Sequence, residues 1–185
     1  MKNNEVLEAI RNRRSRFRFK DEKVDMENIK TILEAGRWAP SFGNSQPWEF
    51  IVVSDKDLID KLSKIAGNVT IFSERIKHAQ FMIAVVVDPE KDSYHFVEDG
   101  AVASQNMALA AHSLGLAAYW IGIYNRENKR KSAERQAKEL LGVPKEYRMI
   151  SILPIGKPER EAKSKRRKID NIVHYDKLEK KYGVS

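Results

Sequence analysis

The 185-residue chain contains no cysteine. Disulfides, thiolate metal sites and thiol nucleophiles are therefore excluded. Long hydrophobic runs are absent too: the longest purely apolar stretch, Phe81 to Val87, has seven residues, far too few to cross a bilayer. The opening MKNNEVLEAIRNRR is helix-like and lacks the apolar core of a secretory signal, so the expected compartment is the cytoplasm, with no membrane partner. The four histidines, His78, His95, His112 and His174, form no HxxxH or HxH pair, and no metal site is expected. No GxSxG elbow, no GxGxxG after a strand and no Walker motif occurs. Linkers, repeats and low-complexity segments are also missing, so residues 1–185 are expected to form one domain.

What is present is an apolar content of 42% over a length that can bury a sizeable core, which rules out global disorder. The net charge of +8 is local. Arg11 to Lys20 carries +6 without an acid, and Lys157 to Lys168 carries +5, which leaves the remainder at −3. Two such clusters, far apart in sequence, either converge on one compact anion such as a phosphate or form separate solvated stretches. Charge alone does not decide between them.

Apolar periodicity predicts helices over residues 5–13, from an Asp25 cap to about Trp38, after Ser54 or Asp55, around residues 74–79, over 95–114 and over 129–141. Strands are predicted at Trp48 to Val53, at Phe81 to Val87 with both faces buried, at Ala117 to Ile123 and at Tyr147 to Ile155. The result is helices packed on a small buried sheet, an α/β or α+β domain. Residues from about 157 have too little apolar content to fold alone and are expected to wrap something. The acids Glu98 and Asp99 open a predicted helix, where negative charge suits the dipole.

Two segments have unusual chemistry. Arg13-Arg14-Ser15-Arg16 places guanidinium groups beside a hydroxyl, a set able to hold a phosphate by charge-assisted hydrogen bonds. Pro40-Ser41-Phe42-Gly43-Asn44-Ser45-Gln46-Pro47-Trp48 gathers turn formers, amides and hydroxyls just before a buried strand. Such a loop is rigid and able to hydrogen-bond a heteroaromatic edge.

Together these segments resemble the nitroreductase family of FMN-dependent oxidoreductases, from about Val6 to His174. The resemblance rests on Arg13-Arg14-Ser15, on Ala39-Pro40-Ser41 to Trp48, and on Asn106 to Ala111 followed by Leu114-Gly115-Leu116. Trp120-Ile121-Gly122, Ile155-Gly156-Lys157-Pro158 and Lys165-Arg166-Arg167 complete the order. It implies an α+β, three-layer α/β/α fold with helices around a small mixed sheet, and a homodimer in which a C-terminal arm from about residue 157 to 185 embraces the partner. It also implies FMN as cofactor, NADH or NADPH as co-substrate and a ping-pong hydride transfer through flavin N5 to a nitroaromatic, quinone or similar acceptor, with no catalytic side chain.

On the same resemblance Arg13, Arg14, Ser15, Arg16, Lys165 and Arg167 would hold the phosphate. Pro40, Ser41, Phe42 and Asn44 would approach the flavin from the partner, and Asn68, Trp120, Ile121 and Gly122 would lie near the ring. Phe17 departs from the pattern, since the family usually has a cation there, and Arg75 is a candidate to supply charge near flavin N1. A basic nucleic-acid-binding module is the alternative from another class, favoured by the KSKRRK run but opposed by the net-negative remainder. A same-fold flavoenzyme with another reaction, such as reductive dehalogenation or flavin breakdown, is a further one.

Overall fold

The computed structural model describes residues 4–178. Its centre is β2 (Phe81–Val87), buried along its whole length. It pairs antiparallel with β1 (Trp48–Val53) on one side and with β5 (Arg148–Gly156) on the other. Two short strands, β3 (Ala117–Ala118) and β4 (Ile121–Gly122), pair antiparallel with the far edge of β5. The sequence expectation of a mixed sheet is met only by one isolated parallel bridge, Ser15 to Ala118; every strand pair named here is antiparallel.

The two-residue period of β2 explains the layers. Met82, Ala84 and Val86 face one side, where α3 (Lys56–Ala66), α4 (Ser73–Ile76) and α6 (Ala133–Leu141) contribute Ile59, Leu62, Ile76 and Ala137. Phe81, Ile83 and Val85 face the other, where α2 (Met26–Arg37) and α5 (Phe96–Ser113) contribute Ile29, Ile32, Met107 and Ala111. Helices thus cover both faces, which is a three-layer α/β/α arrangement. Each fully buried Leu or Ile in these layers contributes about 1.5–3 kcal/mol relative to exposure.

Capping sets the helix starts. Asp25 accepts from the Glu27 amide, Asp55 from Leu58 and Ser132 from Arg135. The last of these corrects an expectation: the predicted helix over 129–141 begins only at Ala133, because Ser132 caps it and Asn125 Oδ1 takes the Lys129 amide. The predicted strand over 117–123 is also broken in two. Tyr119 donates to the Pro154 carbonyl, but Pro154 has no N–H to return, so the ladder lapses at Tyr119 and Trp120.

A register shift between Val85 and Val86 leaves Ile150 as an extra residue in β5, a bulge under the start of α5. Gly100 lets that helix pass: a Cβ there would lie 2.6 Å from Ile150 Cγ1. Above the bulge Ser104 and Ser151 hydroxyls meet at 2.7 Å, fixing α5 to β5. α5 is the bar that separates the two parts of the site described below. α1 (Glu5–Asn12) packs beside it and buries none of its residues, leaving Val6 and Ile10 exposed.

No helix among the described residues is long and apolar enough to cross a membrane. The expected arm lies partly outside the described residues, at 179–185. Its first part folds back on its own chain: Lys20 donates to the Lys157 carbonyl, Glu159 to the Arg18 carbonyl, and Phe19 bridges Pro158.

Candidate functional site

That backfolding brings the two basic clusters together. The segment after α1 is held at the sheet edge by the Arg16 amide on the Ala118 carbonyl, 3.1 Å. Between it and the segment after β5 lies a cleft of about 270 Å³, lined by Ser15, Arg16, Phe17 and Arg18 on one side and Arg160, Glu161, Ala162 and Lys163 on the other. Part of each basic cluster thus faces the other across the cleft, while Lys165 to Lys168 remain exposed.

The cations here are poorly compensated. Arg18 Nη1 lies 4.0 Å from Glu159, a distant surface pair. The Nε atoms of Arg14 and Arg18 are buried without a hydrogen-bond partner among the described residues. Arg14 otherwise donates to the carbonyls of Arg11 and Arg13. Burial, then Arg14 and Arg166, pull the Arg13 guanidinium below its ordinary value. Burial, then Arg16, Arg13 and Arg14, push the His112 imidazole down at the C-terminal end of α5. Cations crowding one another beside unspent donors are an arrangement that an anion would stabilise, by relieving the repulsion and taking up the donors.

Of the six predicted phosphate ligands, Ser15 and Arg16 line this cleft; Arg13 and Arg14 do not line it but crowd His112 together with Arg16. Lys165 and Arg167 are exposed and do not line it. Arg160 and Lys163 occupy the C-terminal wall, and Arg166 is the member of its run that acts on Arg13. The basic run is visible in the sequence, but its facing members follow only from the pairing of Lys20 with Lys157.

Phe17, standing where a cation was expected, stacks on Phe72 with ring centroids 3.7 Å apart and meets Tyr119 edge-on. Arg75 lies over both phenyl rings, at 5.5 and 5.7 Å. The Tyr119 hydroxyl meets Thr70 Oγ1 at 3.0 Å. Asn68 is exposed in the turn leading to Thr70, on this same side. Trp120 is half-buried. Ile121 is buried with its side chain in the α3–α6 layer, so only its backbone faces outward. Gly122 opens onto space that a Cβ would not fill.

The Pro40–Asn44 loop is elsewhere. It packs on the first turn of α5, where Asp99 accepts from the Phe42 amide at 3.2 Å and from Ser45 Oγ at 3.4 Å. Ser41 Oγ accepts from the Gln46 amide. Gly43, Asn44 and Gln46 all have φ near +50°, a strained path that a rigid frame must hold. Phe42 stacks on His95 at 4.1 Å. Asp99 lies in the first turn of α5 as expected, but its carboxylate also takes the loop's donors, and burial, opposed by the Phe42 amide, pushes it up. No local signal announces a contact across 57 residues.

Asp99 and His112 are about 20 Å apart along α5 at a rise of ~1.5 Å per residue. The predicted loop and the predicted phosphate ligands therefore sit at opposite ends of one helix and are not brought together within one chain.

A model of the nitroreductase family matches residues 10–82 and 67–157. The "Putative NADH dehydrogenase/NAD(P)H nitroreductase" of Archaeoglobus fulgidus is 36% identical over 160 residues, covering 85% of this chain and 87% of that protein. A crystal structure of the like-named Parabacteroides distasonis protein superposes with a TM-score of 0.85 at 30% identity, over 95% of this chain and 100% of that one. A Desulfovibrio desulfuricans protein described as a nitroreductase, solved in complex with FMN, superposes at 0.77 with 32% identity, over 96% and 100%. The chain belongs to the nitroreductase family and is an oxidoreductase of that family.

Proposed function

We propose that the protein is an FMN-dependent NAD(P)H oxidoreductase acting as a homodimer in the cytoplasm. The observation that carries this is the cleft between residues 15–18 and 160–163, where Arg16, Arg18, Arg160 and Lys163 face one another and Arg18 Nε, like that of nearby Arg14, has no partner among the described residues. That set fits a phosphate dianion. FMN is the phosphate ester that the FMN-bound relative suggests.

When bound, FMN would supply the redox chemistry, hydride transfer from NAD(P)H to a nitroaromatic, quinone or similar acceptor in ping-pong order. The chain's own part is binding and electrostatics. Arg13, Arg14, Ser15 and Arg16 hold the phosphate, joined by Arg160 or Lys163 from the opposite wall. The Phe17–Phe72 stack gives an apolar floor beside it. Arg75, whose guanidinium rests on those rings, offers N–H donors and positive charge to the ring edge where electron density grows. No side chain needs to act as acid, base or nucleophile.

The 20 Å separation along α5 supports the dimer. If the Pro40–Asn44 loop is to meet a flavin whose phosphate lies by Arg13, that loop must come from a second copy. The exposed apolar face of α1 and the backfolded tail offer surface for such a contact. The nucleic-acid alternative loses ground because the positive charge is gathered at one cleft rather than laid along a face.

The test is direct. The purified protein is expected to be yellow, to release FMN on denaturation and to sediment as a dimer at micromolar concentration. A colourless protein that takes up no FMN overturns the proposal.

A further inference from the structure

The flavin chemistry above gives no part to the buried carboxylate of Asp99. It is 5% exposed, yet it is paired with no cation among the described residues. Both oxygens are turned to the loop, taking the Phe42 amide and the Ser45 hydroxyl. Without them the run of positive φ at Gly43, Asn44 and Gln46 would have only Ser41 Oγ and its own turn bonds to hold it. Burying an anion for two neutral donors is expensive, and a neutral turn would cost less. The arrangement fixes the position of what the loop carries.

The loop carries Phe42, an aromatic side chain that is 61% exposed. One face rests on the His95 ring at 4.1 Å with an interplanar angle of 25°, and the other is open. His95 is set in turn by Asp92, which accepts its amide at 3.1 Å and lies 3.3 Å from its Nδ1. A large, exposed ring held this firmly is an unusual use of apolar surface, and it suits stacking with another flat π system.

We propose that Asp99 is a positioning residue: it holds Phe42, stacked on His95, as an aromatic wall that selects planar aromatic acceptors at the flavin of the second copy. This rests on the proposed function, in which the loop faces a flavin bound to the partner. Asp99 acts through the loop and touches neither acceptor nor flavin. Phe42 is the specificity-determining contact. Planar quinones and nitroaromatics gain from the wall; a non-planar inorganic oxidant such as ferricyanide does not.

The experiment uses the FMN-loaded protein and the variants Asp99→Ala, Asp99→Asn and Phe42→Ala. Menadione and ferricyanide are compared as acceptors, and amide hydrogen exchange at residue 42 is followed. Asp99→Ala is expected to speed exchange at the Phe42 amide and raise the menadione KM about tenfold, with kcat changed less than twofold. Ferricyanide KM should not move. Phe42→Ala is expected to raise the menadione KM similarly while its own amide stays protected. Asp99→Asn keeps a carbonyl oxygen for that amide and should stay close to the parent in both readouts. Equal rises for both acceptors, or unchanged menadione KM in Phe42→Ala, overturn the inference and leave the proposed function standing. A parent protein that binds no FMN overturns both. Should Asp99→Ala fail to fold, the contrast between Phe42→Ala and the parent still decides.

Discussion

Arg148 and the cleft arginines show two uses of one side chain. Arg148 is spent: its Nε reaches Glu134 Oε1 at 2.7 Å, its Nη2 reaches Oε2 at 2.9 Å, and the same Nη2 donates to the Asn125 carbonyl. It also lies 4.4 Å over the Tyr124 ring. The hydrogen bonds to Glu134 hold its guanidinium above the ordinary arginine value. Arg13 is shifted the other way, by burial and by its cationic neighbours. Arg14 and Arg18 keep buried Nε donors without a partner among the described residues. Where this fold uses an arginine as structure it provides a carboxylate. At the cleft the carboxylate paired with Arg18 is Glu159, distant at 4.0 Å, and the buried Nε donors of Arg14 and Arg18 stay open to an outside anion.

The largest expected effect tests the structural side of that contrast. Glu134 is fully buried and also accepts the amides of Asn125 and Met149. Glu134→Ala strands a largely buried guanidinium and two amides, so urea denaturation should show a loss of about 3–5 kcal/mol. FMN affinity, measured where the variant is folded, should stay within a factor of about two. A fall in FMN affinity with unchanged stability would erase the distinction between the two kinds of arginine.

The next effect tests the cleft. Arg13→Ala removes one charge-assisted partner of a phosphate, worth roughly 1.5–3 kcal/mol, so FMN binding should weaken by about 10- to 100-fold. Riboflavin, which has no phosphate, should bind the parent weakly and be indifferent to the change. Arg160→Ala should act in the same direction, and the double variant should show coupling, because both side chains share one anion. Arg167→Ala, at an exposed position where Arg13 is half-buried, should have the smaller effect. Equal FMN affinity in all of these variants removes the phosphate assignment. Stability should scarcely change in any of them, since these arginines hold little of the fold together.

How much of this the sequence announces follows the same division. The strands Trp48–Val53 and Phe81–Val87 stand where expected, because apolar runs bounded by turn formers are a local signal. So do the Asp25 and Asp55 caps. The broken third strand was hidden, since its cause is Pro154 on another strand. Glu134 reads as one more charge on an amphipathic helix, and Arg148 lies fourteen residues away on β5; nothing in either segment reveals that they meet. The basic clusters are plain in the sequence, but which of their members face each other depends on the Lys20–Lys157 pairing. Phe17 fits no phosphate motif. Its use became visible only with Phe72 and Tyr119 around it.

The smallest effect concerns His112, which reports on the cleft without belonging to its lining. Burial, then Arg16, Arg13 and Arg14, hold its imidazole below the usual histidine value, so the folded state binds that proton less well than the unfolded chain. A base with a lowered folded pKa makes stability rise with pH. The contribution is complete above the unfolded value of about 6.5 and is lost as pH falls through that value toward the lower folded one. A bound phosphate dianion offsets the three arginines, so it should raise the His112 pKa toward the unfolded value and shrink the acid-side loss of stability. Arg16→Ala, which removes the largest of the charge effects, should raise the His112 pKa in the absence of FMN and shrink the response to FMN. NMR titration of the imidazole with and without inorganic phosphate or FMN measures both. If the pKa stays put when the anion is added, the anion does not sit among Arg13, Arg14 and Arg16. The contrast between spent and unspent arginines would then need another explanation.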